Sequence, residues 1–349
     1  MKHLSRLLTL LVASIAVTGC GWLSSQHPDT TNEVKQNSMY YWKTTFKVDS
    51  CELAFLEQHN IKRLYVRMFD VATEQDFLNG TTEVVPIATT KFVSATPTGV
   101  EIVPVTYITI DALRAMDERE EEFAPLIVER LLAMASYNKC GEIGEVQLDC
   151  DWTANTRESF HRLCRLVKTE LAAKNIKLSV TVRLHQMDET PPPVDRAVLM
   201  LYNTGALKNP HTYNSILYVG DVRPYLHKTK YAIPFGYAYP TYGWGVKFSN
   251  NKFVGIVSSE ESAVVDNEHI RYERPSVDEI LEVKDLVERC FGKPASGNIL
   301  YHLDSKQLEN YEHNEIDKIL AYYPLCAMWR ERSVCLLGSL VHPKRLLYV

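Results

Sequence analysis

Eight segments of the chain are rich in β-branched and aromatic residues, and stretches with helical spacing of apolar residues separate them. The predicted strands span residues 39–45, 63–69, 101–108, 145–152, 177–184, 197–203, 231–239 and 298–304. Strands that alternate with helices pair in parallel, because each helix returns the chain to the same end of the sheet. Eight such units fit a closed (β/α)8 barrel of the TIM type, an α/β fold.

A doubly wound open sheet is the alternative fold. It is disfavoured because no glycine-rich phosphate turn, of the form G-x-G-x-x-G or G-x-x-x-x-G-K-[ST], occurs after any predicted strand.

Two of the helices have sequence signals at their ends. Asn155 with Glu158 three residues later forms a possible capping box and predicts a helix that begins at Asn155. Ser276 with Glu279 has the same spacing, and Gly292 predicts the end of this second helix.

Two connections depart from the regular alternation. Three consecutive prolines, residues 191–193, leave little room for a helix between the fifth and sixth strands. After the seventh strand, residues 240–275 place aromatic residues around an Asn250-Asn251 turn, which predicts a β-hairpin insertion over the barrel mouth.

The N-terminus has the pattern of an export signal. Lys2 and Arg6 precede an apolar run over residues 7–17, which is shorter than the ~20 residues that span a membrane. The run ends in Val17-Thr18-Gly19-Cys20, which resembles the lipobox of bacterial lipoproteins. The resemblance implies a signal peptide over 1–19 and lipidation of Cys20. The mostly polar residues that follow predict a flexible tether over 20–37, and the strand and helix pattern predicts a single barrel domain over 38–349. We therefore expect a lipid-anchored protein of the bacterial cell envelope, facing the periplasm or the cell surface.

Composition removes several other classes of function. The chain has 349 residues and a net charge of −5, with no cluster of Lys and Arg, so nucleic acid is not an expected partner. No cysteine or histidine motif has metal-ligand spacing, and we expect neither a metal nor another cofactor. The seven cysteines after Cys20 are expected to be buried thiols rather than a disulfide framework, with Cys140 and Cys150 the first pair to test.

The fourth and fifth strands carry polar residues where a barrel strand is usually aliphatic. Alternation along the fourth strand turns Asp149 and Asp151 toward the lumen, and alternation along the fifth turns Arg183 and His185 the same way. Charges in a lumen are costly unless paired, so these side chains form either a neutralised network or a ligand site. We expect Asp149 to pair with Arg183 and to have a depressed pKa.

Further candidate residues lie at or near the carboxyl ends of other strands, where barrel enzymes keep their sites. His302 and Asp304 end the eighth strand, and Arg67 shares an inward face of the second strand with Tyr65 and Phe69. The aromatic candidates for binding a substrate are Trp42, Tyr202, Tyr239 and Trp244.

The fourth-strand segment 148–152 resembles the D-x-x-D-x-D-x-E signature of chitinase-like glycoside hydrolases of family 18. Asp149 and Asp151 match its second and third aspartates, whereas Val146 replaces the first and Thr153 replaces the catalytic glutamate. Met200-Leu201-Tyr202 also resembles the M-x-Y of the sixth strand in that family. The resemblance implies a glycosidase-like barrel, but a threonine hydroxyl cannot donate the proton at neutral pH.

Three functions remain open at this point. The first is hydrolysis of a polysaccharide, with Asp151 and a second carboxylate, either Asp149 or Asp304 or a loop residue such as Asp70, sharing acid and base roles. The second is a non-catalytic glycan-binding or envelope-assembly lipoprotein, which the loss of the family glutamate at Thr153 favours. A scaffold without a ligand is the third, and it leaves the lumen charges unexplained.

Overall fold

Eight parallel strands form a closed barrel in the computed structural model, which describes residues 36–76, 79–227, 231–258, 262 and 267–321. The barrel strands are β1 (Asn37–Tyr41), β3 (Ile61–Asp76), β6 (Glu101–Ile108), β7 (Glu145–Asp149), β8 (Lys177–Val182), β9 (Arg196–Met200), β10 (Phe235–Pro240) and β14 (Asn298–Tyr301). The leader, most of the tether with Cys20, and Cys326 and Cys335 lie outside the described residues.

Closure follows from the pairing of β1, which hydrogen-bonds both to β14 and to β3. The remaining order around the barrel is β14, β10, β9, β8, β7, β6 and β3, with parallel pairing at each step. The predicted (β/α)8 TIM-barrel fold is therefore confirmed, and the open-sheet alternative is wrong.

Helices surround the barrel and cover the outward faces of its strands with apolar side chains. Their bounds are Ser50–Gln58, Ile110–Met116, Glu120–Tyr137, Arg157–Ala172, Val219–Val222, Val277–Phe291, Ser305–Leu308 and His313–Leu320. Helix Arg157–Ala172 buries Phe160, Leu163, Val167 and Leu171 at three- and four-residue spacing, as the pattern predicts. Among the described residues, none of the helices combines the length and the hydropathy that crossing a membrane requires.

Several short or antiparallel elements flank the barrel. β4 (Thr81–Ile87) pairs antiparallel with the second half of β3, and β2 (Thr45–Phe46) pairs with β5 (Lys91–Phe92). The crossover after β8 contains a 3-10 helix, Leu184–Asp188, in place of an α-helix, as the three prolines predict.

The predicted insertion after the seventh strand contains one strand more than a hairpin. β11 (Trp244–Ser249) and β12 (Lys252–Val257) form the hairpin, and Asn250 and Asn251 both adopt positive φ at its turn. β13 (Glu268–Glu273) pairs with the other edge of β11, so the insertion is a three-stranded antiparallel sheet.

The two predicted helix starts have different outcomes. Ser276 caps helix Val277–Phe291 by accepting a hydrogen bond from the backbone N–H of Glu279, and Gly292 ends this helix at φ 87°. The prediction that Asn155 caps a helix is wrong. That helix begins at Arg157, because the hydroxyl of Thr156 accepts from the backbone of Thr153 and extends the preceding turn by one residue.

The cysteines of the described residues form no disulfide. Cys140, Cys150 and Cys164 are buried thiols, Cys290 is partly buried and Cys51 is exposed. The expectation of buried thiols therefore holds for Cys140, Cys150 and Cys164, and it is wrong for Cys51.

Candidate functional site

The amino-terminal end of the barrel lumen is closed by an ion-pair network. Glu145 on β7 accepts from Arg196 at 2.9 Å and lies 4.0 Å from Arg63, which in turn donates to Glu101 at 2.8 Å. Tyr65 donates to the same carboxylate of Glu145. Because this end is filled by paired charges, a ligand would reach the lumen from the carboxyl end.

The next layer of the lumen consists of neutral side chains joined by hydrogen bonds. The hydroxyl of Tyr40 donates to Gln147 Oε1 at 2.8 Å, and Gln147 Nε2 donates to Ser179 Oγ at 3.2 Å. This layer fixes the inward faces of β1, β7 and β8 and supports the carboxylate layer above it.

Asp149 lies one layer nearer the mouth and is 4 % exposed. It accepts a hydrogen bond of 2.5 Å from Thr181 Oγ1 on β8. Burial, opposed by the charge of Arg183 and reinforced by that of Asp151, raises the pKa of Asp149 to about 6. The expectation of a depressed pKa is wrong, because the desolvation of this carboxylate outweighs the attraction of the cation.

Arg183 pairs with Asp151 instead. Its Nε donates to Asp151 Oδ1 at 2.5 Å, and its Nη2 donates to Oδ2 at 3.2 Å. Both residues lie just beyond the ends of their strands, which stop at Asp149 and Val182 and are shorter than predicted. The lateral contact therefore joins the two residues at the mouth, and the predicted pairing of Arg183 with Asp149 is wrong.

The structure places two further polar residues at the mouth, Asp70, which was expected in a loop, and Tyr107, which was not predicted. A bulge in β3 between Arg67 and Phe69 turns Phe69 outward into the helix layer and brings Asp70 opposite Tyr107. Asp70 accepts from Arg67 Nε at 2.7 Å. The expectation that Phe69 shares a face with Arg67 is wrong for this reason, and a single inserted residue leaves no signal in the pattern of alternation.

Tyr107 is the last inward-facing residue of β6 and lies near Asp149 and Asp151. Burial, together with the charges of Asp151 and Asp149, raises the pKa of the Tyr107 hydroxyl to about 12. Alternation along β6 from Glu101 already turns this residue inward, so the sequence did contain a signal for it.

Aromatic rings cover the opposite side of the mouth. Tyr301 stacks on Tyr202 with ring centroids 4.4 Å apart, and Trp42 lies 5.9 Å from Tyr301. The guanidinium of Arg67 lies over Trp42 at 5.7 Å, and that of Arg183 lies over Tyr202 at 6.0 Å. The structure thus brings together four predicted site residues, Trp42, Arg67, Arg183 and Tyr202, around Tyr301.

The three-stranded insertion adds Trp244 to this surface. Trp244 Nε1 donates to Glu273 Oε2 at 2.7 Å, and Ser215 and Arg271 also donate to this buried carboxylate. Tyr242 bridges inward from Trp244, with ring centroids 5.2 Å from Trp244 and 5.6 Å from Tyr301. The insertion is therefore anchored at the edge of the mouth, whereas the sequence predicted that it would lie over the mouth.

Two predicted site residues lie elsewhere. His185 is exposed, because the 3-10 helix that starts at Leu184 ends the alternation of β8 before this residue. Tyr239 is fully buried on the outer face of β10, where Lys284 lies 5.8 Å from its ring centroid. The placement of His185 in the lumen and of Tyr239 at the mouth is wrong.

The end of the eighth strand forms a separate polar group. Asp304 caps helix Ser305–Leu308 by accepting a hydrogen bond from the backbone N–H of Gln307. Its side chain also lies 3.1 Å from Lys43 Nζ. Burial would raise the pKa of Asp304, but the hydrogen bonds and the charge of Lys43 outweigh burial and lower this pKa. Burial lowers the pKa of the neighbouring His302 to about 4. Among the described residues, no hydrogen bond or ion pair joins Asp304 to Asp151.

The position of the family glutamate is held in a turn. Thr153 donates its backbone N–H to Thr156 Oγ1 at 3.0 Å, and the two hydroxyl oxygens lie 3.4 Å apart. The loop carboxylates Asp188 and Glu189 also have partners. Asp188 Oδ1 lies 3.0 Å from His227 Nε2, and Glu189 Oε2 lies 2.6 Å from Arg157 Nη1.

The fold of the chain is similar to the solved structures of a chitinase and of two spore cortex-lytic enzymes. A chitinase from Chromobacterium violaceum superposes with a TM-score of 0.54 at 13% identity, over 83% of this chain and 100% of its own. The spore cortex-lytic enzyme SleL of Bacillus cereus gives 0.50 at 15% identity, over 82% and 74%, and SleL of Bacillus megaterium gives 0.50 at 12%, over 83% and 75%.

Sequence comparison adds nothing to this likeness. No protein-family profile matches the chain, and no curated protein matches it either. At such low identity, structural similarity establishes the architecture and leaves the chemistry open. The chain has the (β/α)8 barrel fold of the Chromobacterium chitinase and of SleL, so the predicted resemblance in fold to chitinase-like barrels is confirmed.

Proposed function

We propose that the protein binds a glycan at the carboxyl end of its barrel and does not hydrolyse it. The observation that carries this proposal is the double contact from Arg183 to Asp151. Both oxygens of Asp151 accept from this guanidinium, so neither is free to carry a proton toward a glycosidic oxygen as a general acid must.

The other mouth carboxylates do not supply the missing acid. Asp70 is ion-paired with Arg67, and Asp304 is paired with Lys43. Thr153 stands where the chitinase-like signature has its glutamate. Hydrolysis by paired carboxyl groups requires one carboxyl group that is free to donate a proton to the glycosidic oxygen, whereas Asp70 and Asp304 each contact a cation and Thr153 has no carboxyl group.

The mouth has the features of a sugar-binding surface. Trp42, Trp244 and Tyr301 are partly exposed rings beside a paired Asp151 and Arg183, and binding sites commonly combine aromatic walls with a few polar groups that fix orientation. Among the described residues, no hydrogen-bond partner reaches the hydroxyl of Tyr202 or His302 Nδ1. Glycan hydroxyl groups could satisfy such buried polar atoms.

Hydrolysis with Asp149 as the acid is the second candidate. Its pKa, raised to about 6 by burial, falls in the range of general acids that act near neutral pH. The difficulty is access, because the side chain lies below Asp151 and is almost fully buried.

Attachment to the cell envelope is part of the proposal. The lipobox-like segment ending at Cys20 supports a lipid anchor, with the polar residues after it as a tether. A barrel held in this way would meet cell-wall or surface polysaccharides without entering the membrane.

Titration calorimetry and a reducing-end assay separate the two candidates. The probes are chitooligosaccharides and soluble peptidoglycan fragments, chosen because the similar structures are a chitinase and spore cortex-lytic enzymes. We expect binding without release of reducing ends. Trp42→Ala should weaken binding about tenfold or more, which corresponds to about 1.4 kcal/mol.

Tyr137→Ala is the matched control, because this aromatic residue is 87% exposed at the end of helix Glu120–Tyr137. Its affinity should equal that of the wild type. Release of reducing ends by the wild type that stops in Asp149→Asn would establish the hydrolase instead. If neither probe binds and neither is cleaved, the glycan proposal is wrong for both substrate classes.

A further inference from the structure

A cavity of about 360 Å³ lies outside the barrel, along the seam where β1 meets β14. It separates helix Ser50–Gln58 from the final described helix, His313–Leu320. The side chains that line this seam cavity include Cys51, Phe55, His59, Leu308, Tyr311 and His313. None of the glycan-site residues described above is among its lining residues.

Two histidines and an aspartate meet at this cavity. His59 Nδ1 lies 2.8 Å from Asp317 Oδ1, His59 Nε2 lies 3.2 Å from His313 Nδ1, and His313 Nε2 lies 3.3 Å from Asp317 Oδ2. One ligand atom from each residue lies within 4.8 Å of the others. The His59 side chain is 3% exposed, whereas His313 and Asp317 are about half exposed.

Two of these three contacts are hydrogen bonds, His59 Nδ1 with Asp317 Oδ1 and His59 Nε2 with His313 Nδ1. An ionised carboxylate only accepts, so His59 donates its single N–H to Asp317 through Nδ1, and its Nε2 is unprotonated. The lone pair of His59 Nε2 is therefore directed toward His313 Nδ1 at 3.2 Å. A metal ion that takes the place of the Nδ1 proton of His313, with the remaining proton of that ring on Nε2 toward Asp317, would be bound by both nitrogens.

The spacing of the two nitrogens matches a transition-metal site. Two nitrogens bound at 2.0–2.1 Å in a tetrahedron are separated by about 3.3 Å. A carboxylate that accepts from the opposite ring nitrogen is the usual support of a metal-binding histidine, since it fixes both the tautomer and the ring orientation.

We propose that His59 Nε2 and His313 Nδ1 bind a divalent transition-metal ion of the zinc class, with Asp317 holding both rings. The remaining coordination positions face the seam cavity and take water or a small ligand. The ion joins helix Ser50–Gln58 to helix His313–Leu320 across the closure of the barrel. Binding to the folded state alone therefore stabilises the barrel by mass action. This proposal is independent of the glycan proposal.

Zinc titration of chelator-treated protein tests the site, with calorimetry and the unfolding temperature as readouts. The wild type should bind one zinc ion per chain and unfold at a higher temperature when zinc is added. His313→Gln should abolish both effects, and Asp317→Asn should weaken zinc binding about 10–100-fold. His313 is half exposed, so its substitution is expected to leave the fold intact, which circular dichroism checks.

Two control variants distinguish the proposed ligands from a distant histidine and from the nearby thiol. His211→Gln, an exposed histidine in another loop, should bind zinc like the wild type. Cys51→Ser tests the exposed thiol that lines the same cavity. If zinc binding is lost in Cys51→Ser and kept in His313→Gln, or if cobalt gives a thiolate charge-transfer band, the assigned ligands are wrong. Absence of any zinc-dependent shift in the wild type also overturns the proposal, because a proton would then complete the cluster.

Discussion

Replacing Asp149 by asparagine should stabilise the protein at neutral pH. The substitution keeps the shape of the side chain and an oxygen that can accept from Thr181, and it removes a negative charge that is 4% exposed in the lumen. An ionised carboxylate at this position loses its hydration and lies near the second carboxylate, Asp151.

The magnitude follows from the shift of the Asp149 pKa from 3.8 to about 6. Each pKa unit corresponds to about 1.4 kcal/mol, so ionisation costs the folded state about 3 kcal/mol relative to the unfolded chain. The folded state binds the proton more tightly, so the Asp149 contribution to stability is present below pH 3.8 and is lost as the pH rises through 6. The Asp149→Asn variant has no carboxyl group at this position, so its stability does not decrease in this way as the pH rises.

Urea unfolding of both proteins between pH 4 and pH 8 gives the measurement. The free energy of unfolding of Asp149→Asn minus that of the wild type should rise by about 2.4 kcal/mol over this range, because part of the total of about 3 kcal/mol is already lost at pH 4. Any constant difference caused by the amide itself does not depend on pH and drops out. Asp111→Asn, which removes an exposed carboxylate, is the control and should change by less than about 0.5 kcal/mol.

The sign of the pH dependence tests the reasoning. A difference that does not change with pH would mean that the lumen does not perturb Asp149. A difference that falls as the pH rises would mean that Arg183 stabilises the ionised form and dominates over burial, which would refute the structural assignment.

Two further predictions concern Arg183 and Cys20. Arg183→Met should lower the free energy of unfolding by about 1–3 kcal/mol, less than for a fully buried pair, because the Asp151 side chain it leaves unpaired is 33% exposed; an unchanged urea midpoint would contradict the pairing. Cys20→Ala should move the protein from the detergent phase to the aqueous phase after phase separation, with Cys51→Ala remaining in the detergent; a Cys20→Ala protein that stays with detergent contradicts the lipid anchor.

The fold class could be predicted from the sequence because each of its signals is local. Alternating strand and helix patterns specify parallel pairing, and each of the eight predicted strands overlaps a barrel strand. Asn250-Asn251 and Gly292 supply positive φ angles at a turn and a helix end, and Ser276 supplies a cap. These effects act within a few residues of the chain, so no tertiary contact is needed to read them.

The ends of the strands and the bulge in β3 could not be predicted from the sequence in the same way. The 3-10 helix after β8 and the inserted residue in β3 change which side His185, Phe69 and Asp70 face. A shift of one residue reverses the facing of every later side chain, and only the pairing with neighbouring strands determines where such a shift occurs.

The charge state of the lumen and the seam cluster were decided by tertiary structure alone. The sequence places Asp149 and Asp151 on one face, and it determines that Thr153 replaces the family glutamate. Which carboxylate Arg183 binds depends on lateral distances between strands and on the burial of each group. His59 and His313 are 254 residues apart, and they meet because closure of the barrel brings together the first and last of the described helices. Contacts of this kind depend on long-range geometry, which no spacing along the chain encodes.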